Sequence, residues 1–422
     1  MNEQQFERLA KALSNAEKEI LWLFWSGKSD EEVAKSLSIT PATVRKHLSN
    51  AARKLGVSNE FEKNYNQREN ILALLGEQKK LWMSMNQDKF VSEDAQFYVS
   101  RPKLESLFQR ALSQPGALLR VKAPQSMGKT TLINHCLRQM SSQGFAVAIL
   151  SLKSFDQADF SSLERFLRML CIEVSKELKI DEKLDELWEI SSGSKSNATS
   201  YFENYILMKT KEPLILCIDD VDEIFLYPDI SRDFFGMIRA WFERAMRRPI
   251  WRQLRSLISY STETYIQLDI NESPFNVGEF IEVSEFSSEQ IQELLKIHGL
   301  VLDSNRIQQL EELLGGHPHL LQQAIAYLKK HPEVEFDQFL TDAPSDVGIY
   351  NRLLQKYFVN LKKLPDLSKA LKNILNAEQN QQIEILTAYR LLSMGLVKRQ
   401  NKQLIIRCNL YQKYFRSHIK EL

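Results

Sequence analysis

The segment at residues 123–131, APQSMGKTT, has the residue types and spacing of a loop that holds nucleotide phosphates. Gly128 lets the backbone pass close to a phosphate, and consecutive amides at the start of the following helix can point into the anion. Lys129 would supply charge to the β- and γ-phosphates, and the Thr130 hydroxyl would bind Mg²⁺. Ala123 replaces the glycine that usually opens such a loop. The candidate nucleotide-binding residues are Ala123, Pro124, Gln125, Ser126, Met127, Gly128, Lys129, Thr130 and Thr131.

A pair of carboxylates that could serve the same site ends the apolar part of LILCIDDVDEIF, residues 214–225. Asp219, at the carboxyl end of the expected strand, would hold Mg²⁺ through water, and Asp220 would polarise an attacking water molecule. Asp222 and Glu223 are alternatives for the second role. Together with the phosphate loop, these residues predict a site for ATP or GTP with Mg²⁺, in which Asp220 and the loop lysine serve catalysis.

Other polar side chains could act beside this site. Ser259, Ser261 and Thr262 lie near the end of the apolar run LRSLISYS and could sense a γ-phosphate, with simple loop hydroxyls as the alternative. One arginine of a basic run could act as an arginine finger within or between subunits. A solvated basic face explains each single arginine better, so none is assigned. The run contains Arg239, Arg244, Arg247, Arg248, Arg252 and Arg255.

Residues 13–58 carry the local signals of three short helices. Two capping boxes mark the first two helix starts, namely Ser14 with Glu17 and Ser29 with Glu32. At the third start, Thr40 is the N-cap and Pro41 is the first helical residue. The third helix is basic and holds no acidic residue, which suits a helix that enters the major groove of DNA. The expected DNA contacts are Ala42, Thr43, Arg45, Lys46, His47 and Asn50.

The elements that must position these residues follow from the apolar runs. Short runs at 117–121, 145–152, 213–220, 254–261 and 280–283 lack polar alternation, as strands buried on both faces do. Because helical patterns separate them, the sequence predicts a parallel, doubly wound sheet. From residue 286 the pattern is helical, and near the end a helix and a hairpin, 396–400 with 403–406, favour a winged helix.

We therefore expect a multidomain α/β protein. Its predicted parts are a three- to four-helix helix-turn-helix domain (1–60), a helical linker (61–95), a phosphate-loop NTPase core (96–285), a helical lid (286–345) and a winged helix (346–422). An apolar stripe in the linker would pack between domains, and it consists of Ile71, Leu72, Leu75, Leu81 and Trp82.

Composition is that of an ordinary soluble protein. The 422 residues are 43% hydrophobic and 26% charged, with a net charge of +1, which argues against wholesale coating of nucleic acid but allows a local basic surface. No apolar run is long enough to cross a bilayer and the N-terminus is not a secretion signal, so we expect a cytoplasmic protein without a membrane partner. The four cysteines are expected to be small buried residues rather than metal ligands or disulfides.

From residue 96 onward the chain resembles the AAA-like ATPase domain family, which is related to the signal-transduction ATPases of the STAND class. The segments that carry the resemblance are FYVSRPKLE, VKAPQSMGKTTLI, LILCIDDVDEIF, STETYIQLDINESPFNVG, GGHPHLL and LLSMGLVKRQNKQLIIRCNLYQKYF. The resemblance implies that the segment before the phosphate loop contacts the base and that a Gly-x-Pro motif in the lid contacts the nucleotide. These positions are Tyr98, Val99 and Arg101, and Gly316, His317 and Pro318. For GGHP, a simple helix stop is the alternative.

The N-terminal segment resembles the LuxR/GerE-type helix-turn-helix through TVRKHLSNAARKLGV, with Ala51 where a larger aliphatic residue is usual. The two resemblances imply a DNA-binding signal-transduction NTPase, most simply a transcriptional regulator. ADP would hold it closed, ATP would open it for oligomerisation, and slow hydrolysis would reset it. One alternative is an assembly platform in a defence system whose N-terminal helices recruit an effector protein. Another is an AAA-type DNA-handling ATPase. The expected partners are double-stranded DNA, further copies of the chain, and an effector or sensor protein.

Overall fold

A computed structural model of the chain describes most of the sequence. The described residues are Phe6, Leu9, 13–25, 29–36, 39–56, Ile71, Leu74, 97–261, 273–376, 383–401 and 403–420. The chain divides into two compact units, Met1–Gln96 and Phe97–Leu422. No helix among the described residues is long and apolar enough to cross a membrane.

The first unit contains three helices that begin where the sequence predicts. They are α1 (Asn15–Trp25), α2 (Asp30–Ser36) and α3 (Pro41–Lys54). Both predicted capping boxes are formed. The Ser14 amide donates to the Glu17 carboxylate at 2.7 Å, and the Ser29 amide donates to the Glu32 carboxylate at 2.8 Å. These bonds satisfy backbone donors that helix starts otherwise leave unpaired.

An apolar core joins the three helices and includes part of the predicted linker. Its buried members include Ile20, Leu23, Val33, Val44, Leu48, Leu55, Ile71 and Leu74. The other four residues of the predicted linker stripe lie outside the described residues. Glu17 is also buried, and its carboxylate accepts a hydrogen bond from Lys54 at 2.7 Å. Lys54 therefore ties α3 to α1.

The second unit is built on a parallel five-stranded sheet with strand order β2-β3-β4-β1-β5. Its strands are β1 (Leu118–Lys122), β2 (Ala146–Ser151), β3 (Leu214–Asp219), β4 (Leu254–Tyr260) and β5 (Glu279–Glu282). Each lies within two residues of a predicted run. β3 and β4 are buried along their whole length, as predicted. The prediction of burial on both faces is wrong for β2 and β5, because these strands form the two edges of the sheet.

Helices surround this sheet and extend beyond it. Those of the core are α4 (Pro102–Ser113), α5 (Lys129–Ser142), α6 (Leu163–Glu177), α7 (Leu184–Leu187), α8 (Ser194–Tyr201), α9 (Leu207–Lys209) and α10 (Pro228–Arg247). The later helices are α11 (Ser288–Ile297), α12 (Ser304–Leu314), α13 (Pro318–Lys330), α14 (Phe336–Asp342), α15 (Asn351–Lys362), α16 (Pro365–Leu375), α17 (Ile385–Ser393) and α18 (Asn409–Ser417). The four cysteines are all buried and unbridged, which confirms their expected environment.

The later helices share a single hydrophobic core. It combines residues of the predicted lid, such as Leu294 and Leu321, with residues of the predicted winged helix, such as Leu371 and Phe415. An antiparallel hairpin, β6 (Val397–Gln400) with β7 (Gln403–Ile406), follows three helices, and α18 follows it. The hairpin lies within one residue of its predicted bounds, while the winged-helix assignment stays a prediction. The residues of the predicted lid and of the predicted winged helix therefore pack as one hydrophobic core.

Candidate functional site

The phosphate loop connects the end of β1 to the start of α5. Gly128 has φ +81°, a left-handed conformation that glycine adopts without strain, and α5 begins at the next residue. Ala123 is fully buried, and its amide donates to the Tyr260 carbonyl of β4 at 3.2 Å. The alanine therefore fills a place in the hydrophobic core, and its methyl group is no obstacle to the turn of the loop.

A compact polar cluster lies under this loop. The Lys129 ammonium donates to the Asp219 carboxylate at 2.6 Å and to the Ser259 hydroxyl at 2.5 Å. The Thr130 hydroxyl donates to the second oxygen of Asp219 at 3.0 Å, and Ser259 also donates to Asp219. Asp219 is therefore the centre of the cluster, and the lysine and threonine that sequence assigned to phosphate and metal meet at its carboxylate.

The charge state of Asp219 follows from these contacts. Burial alone would raise its pKa. The Lys129 ammonium and the hydrogen bonds from Lys129, Ser259 and the Asp220 amide together hold the pKa below its usual value. The carboxylate is therefore ionised at neutral pH. An anionic carboxylate beside a threonine hydroxyl is an oxygen donor set suited to Mg²⁺.

Asp220 occupies the position next to the cluster in a left-handed backbone conformation, with φ +55°. Its carboxylate accepts hydrogen bonds from Ser151 at 2.8 Å and from Lys153 at 2.7 Å, and lies 3.9 Å from the Lys129 ammonium. Ser151 ends β2, and Lys153 lies two residues further along the chain. The neighbouring strand β2 therefore fixes the carboxylate predicted to polarise water.

Asp222 makes a different set of contacts. Its two carboxylate oxygens accept from the Ser261 amide at 2.9 Å, and one of them accepts from the Ser261 hydroxyl at 2.7 Å. These hydrogen bonds hold Ser261, the residue after β4, in place. Ser261 lines the cleft, but its hydroxyl already donates to Asp222. Thr262, the third predicted sensor hydroxyl, lies outside the described residues.

A cleft of about 490 Å³ opens above the cluster, a volume typical of ligand sites. Thirteen predicted residues line it: Tyr98, Val99, Arg101, Pro124, Gln125, Ser126, Gly128, Lys129, Thr130, Thr131, Asp220, Ser261 and Pro318. Ala123, Met127, Asp219, Ser259, Gly316 and His317 are buried or packed behind its wall. Six lining residues were missed by sequence reasoning, namely Phe97, Lys153, Phe286, His319, Gln322 and Lys356. Lys153 had a signal, since it follows the carboxyl end of a parallel strand, and Phe97 and His319 lie inside the segments FYVSRPKLE and GGHPHLL.

The segment before the loop forms one wall of the cleft. The Tyr98 ring stacks on His135 of α5, with centroids 3.8 Å apart, and its hydroxyl donates to Glu105 at 2.7 Å. Arg101 is buried, donates to the Ser284 carbonyl at 2.6 Å and lies over the Phe286 ring at 4.5 Å. Burial lowers the Arg101 pKa. Arg101 thus joins the segment before the loop to the segment that follows β5.

The three residues of the lid motif have distinct surroundings. Pro318 begins α13 and lines the cleft. His317 is buried against Tyr411 of α18, and burial lowers its pKa to about 3, so the ring is neutral at pH 7. Gly316 packs against Phe286, whose amide donates to the Gly316 carbonyl at 2.8 Å. Only the proline of the motif therefore faces the cleft.

Gly316 gives a stability prediction, because a Cβ atom there would overlap the Phe286 carbonyl oxygen. We expect Gly316→Ala to destabilise the second unit by about 2 kcal/mol, as overpacking against backbone does. The change is measured as a lower urea midpoint of the full chain. Gly236→Ala, in α10 with open space around it, is the matched control and should stabilise the unit by up to about 1 kcal/mol, because alanine is favoured over glycine in a helix interior. Equal midpoints for the two variants would contradict the close packing.

The C-terminal helices also reach the phosphate loop. The Gln125 amide, one of the loop donors, donates to the carbonyl of Ser393 at the end of α17 at 3.1 Å. Gly395 lies against the loop residues Pro124 and Gln125. Lys356 of α15 lines the cleft. A change of loop conformation on phosphate binding would therefore alter direct contacts with the C-terminal helices.

The six arginines considered for a finger role do not form one solvated face. Arg244 and Arg248 lie within ion-pair distance of Glu203, and Arg239 pairs with Glu243 at 2.6 Å. The expectation of a solvated side chain is wrong for Arg255, which is buried in β4. Its guanidinium donates to three backbone carbonyls, those of Leu112, Arg252 and Gln253.

The predicted DNA-contacting residues of the first unit are arranged along α3. Arg45 and Lys46 are exposed, and Thr43, His47 and Asn50 are half-buried. The Thr40 hydroxyl accepts from the Thr43 amide at 3.2 Å and so caps α3. Val44, Leu48 and Ala51 on the opposite face are buried in the core. Ala51, the departure from the usual larger aliphatic residue, is thus part of the packed face.

Comparison with known proteins agrees with the fold of both units. The family model described as "AAA-like domain" matches residues 86–417, and the one described as "Bacterial regulatory proteins, luxR family" matches residues 11–63. A solved structure of the Walker-type ATPase PABY2304 of Pyrococcus abyssi is 14% identical. It covers 76% of this chain and 96% of its own, with a TM-score of 0.54. That likeness establishes the fold of a phosphate-loop ATPase.

A second solved structure, the ORC2 protein of Aeropyrum pernix, is 12% identical. It covers 76% of this chain and 93% of its own, with a TM-score of 0.47. None of the curated proteins matches the chain.

Proposed function

The chain belongs to the AAA-like domain family, and from that premise we propose that it is a nucleotide-switched DNA-binding protein that regulates transcription. The luxR-type helix-turn-helix of the first unit would bind DNA, and the second unit would bind ATP with Mg²⁺. The observation that carries the switch is the hydrogen bond from the Gln125 amide to the Ser393 carbonyl. It makes the phosphate loop and the C-terminal helices parts of one structure.

The residues under the loop fit nucleotide and metal. Lys129 is buried among carboxylate and hydroxyl oxygens, so its ammonium is held where β- and γ-phosphates would compete for it. Thr130 and Asp219 would hold Mg²⁺, which neutralises charge on the phosphates when bound. Asp220, fixed by Ser151 and Lys153, would position and polarise the attacking water. The cytoplasm, which holds ATP, Mg²⁺ and DNA together, is the expected compartment.

The switch itself requires different affinity for two states. When phosphates draw Lys129 and the loop amides toward the cleft, the Gln125–Ser393 hydrogen bond and the position of Lys356 must adjust. Because the C-terminal helices share a core with the lid, the adjustment would move both. Bound ATP would favour the adjusted form and bound ADP the closed form, with subunit association in the ATP state. Slow hydrolysis would return the protein to the closed form.

The test of this proposal is selection of genomic DNA fragments by the purified full chain, with ATP·Mg²⁺ and ADP·Mg²⁺ in parallel. A discrete set of fragments, enriched to different degrees with the two nucleotides, is the expected result. Folded protein that binds ATP but selects no fragments with either nucleotide would refute the DNA-binding output. It would direct the search to a protein captured by the first unit.

The DNA contacts of α3 give a second testable prediction. We expect Arg45→Ala with Lys46→Ala to weaken binding to the selected fragments by about 1–3 kcal/mol for each lost contact, without unfolding the domain. Binding is measured by fluorescence anisotropy and folding by circular dichroism. The matched control is Lys103→Ala with Arg110→Ala, which removes the same charges from exposed positions of α4. Unaltered binding in the α3 variant would place the DNA surface elsewhere.

A further inference from the structure

The net charge of the chain is close to zero, but its basic and acidic residues are distributed unevenly along the sequence. Residues 346–422 contain 14 lysines and arginines against five aspartates and glutamates, a net charge of +9. The preceding 345 residues contain 41 against 49, a net charge of −8. Nothing in the nucleotide site requires an excess of this size. A basic C-terminal region on an otherwise acidic protein points to a polyanionic partner.

Most of this charge lies on three helices that pack together. In residues 351–376 and 409–420, which contain α15, α16 and α18, there are nine basic residues and a single acid, Asp366. Arg416 of α18 donates to the Leu375 carbonyl at the end of α16 at 3.3 Å. The Phe358 ring of α15 meets the His418 ring that follows α18 at 5.8 Å. The three helices are therefore one rigid support for their lysines.

Some basic residues of the region already have structural partners. Lys398 and Arg407 both pair with Glu285, at 3.0 and 2.9 Å, and Lys356 lines the nucleotide cleft. Six lysines remain that pair with no carboxylate among the described residues. They form what we call the C-terminal basic surface: Lys362, Lys363, Lys369, Lys372, Lys413 and Lys420.

Helical spacing gathers these lysines into rows. Lys369 and Lys372 are three residues apart on α16 and so share a helix face, and Lys413 lies on α18 with Lys420 three residues beyond the end of that helix. Lys362 and Lys363 stand at the end of α15, next to the start of α16. Lys362 is held over the Phe358 ring, with its ammonium 4.7 Å from the centroid. Like charges on one helix face repel one another, and a bound anion would relieve that repulsion.

We propose that the C-terminal basic surface binds the phosphate backbone of duplex DNA without reading its sequence. Lysine is a compact, mobile charge that suits phosphate oxygens, and several such contacts give binding by release of counterions. The choice of duplex DNA as the polyanion rests on the proposed function, since the luxR-type domain would hold DNA beside the same chain. Base contacts from α3 would then select the site, and the C-terminal surface would add affinity at any sequence.

The experiment measures binding of the full chain to a duplex of random sequence over a range of salt concentrations. The test variant carries Lys363→Glu, Lys369→Glu and Lys413→Glu, all exposed positions. We expect affinity at low salt to fall by at least about 30-fold, and the slope of log K against log salt to become about 3 units shallower. The control reverses Lys103, Lys209 and Lys211 to glutamate, which changes the net charge equally on exposed positions of the core.

The outcomes separate this inference from the proposed function. Loss of duplex binding in the C-terminal variant but not in the control supports the C-terminal basic surface. ATP binding retained by that variant shows that it is folded. This support holds even if the Arg45 and Lys46 variant binds DNA normally. Equal loss in both triple variants, or no loss in either, overturns the inference. Binding to phosphatidylserine vesicles that depends on the same three lysines, with duplex binding unchanged, overturns it in favour of a lipid surface.

Discussion

Lys129→Ala is expected to abolish measurable binding of ATP and ADP by the full chain. The Lys129 ammonium contacts Asp219 at 2.6 Å and lies 3.9 Å from Asp220. Without it, a triphosphate would meet the Asp219 carboxylate with no ammonium paired to it. Loss of a charge-assisted contact to phosphate of this kind lowers affinity by two orders of magnitude or more, about 3 kcal/mol. Isothermal titration calorimetry with Mg²⁺ present measures the loss.

The control must separate lost binding from lost folding. Removing the lysine leaves Asp219 buried without its partner, which raises the carboxyl pKa and can destabilise the fold by about 3–5 kcal/mol. Lys129→Met with Asp219→Asn removes both charges and keeps the side-chain volumes close, so a folded protein is expected. Nucleotide affinity in this double variant equal to that of the wild type would remove the phosphate-loop assignment.

Local chemistry made most of the fold predictable. Apolar runs gave all five strands of the sheet, because continuous apolar runs between helices are found where strands are covered by helices. Capping boxes gave the helix starts at Ser14 and Ser29, because the hydrogen bonds that form them join residues only three apart. The phosphate loop and Asp219 followed from the same kind of local pattern, read at the ends of two neighbouring strands.

The features that local sequence patterns did not indicate depend on contacts between distant parts of the chain. Lys356 and Phe286 line the cleft because the lid and the C-terminal helices fold over it, and nothing next to them in sequence indicates this. Arg255 was grouped with surface arginines because the run begins on α10. It also falls in the apolar run 254–261 that was predicted as a strand, and in β4 its guanidinium donates to three backbone carbonyls. The net charge of the whole chain was also misleading, because the negative excess of residues 1–345 cancels the positive excess of residues 346–422.

Asp220→Asn is expected to keep ATP affinity within about threefold of the wild type and to lower the turnover rate about 100-fold or more, as loss of a general base does. Asparagine suits this position, because it tolerates the left-handed conformation at φ +55°. Its amide oxygen can still accept from Ser151 or Lys153. The variant therefore removes the charge that polarises water and leaves the local structure in place. Single-turnover hydrolysis with radiolabelled ATP measures the effect.

Two neighbouring variants decide whether Asp220 or another acid has this role. Asp222→Asn weakens the clamp on Ser261, so its expected effect is a lower thermal stability with a smaller change in turnover. Glu223→Gln removes a charge from the same 3-10 turn, Val221–Leu226, and should leave turnover near the wild-type rate. Undiminished turnover in Asp220→Asn with a 100-fold loss in Glu223→Gln would transfer the water-activating role to Glu223. The contacts of Asp220 with Ser151 and Lys153 would then hold β2 against β3 and serve packing alone.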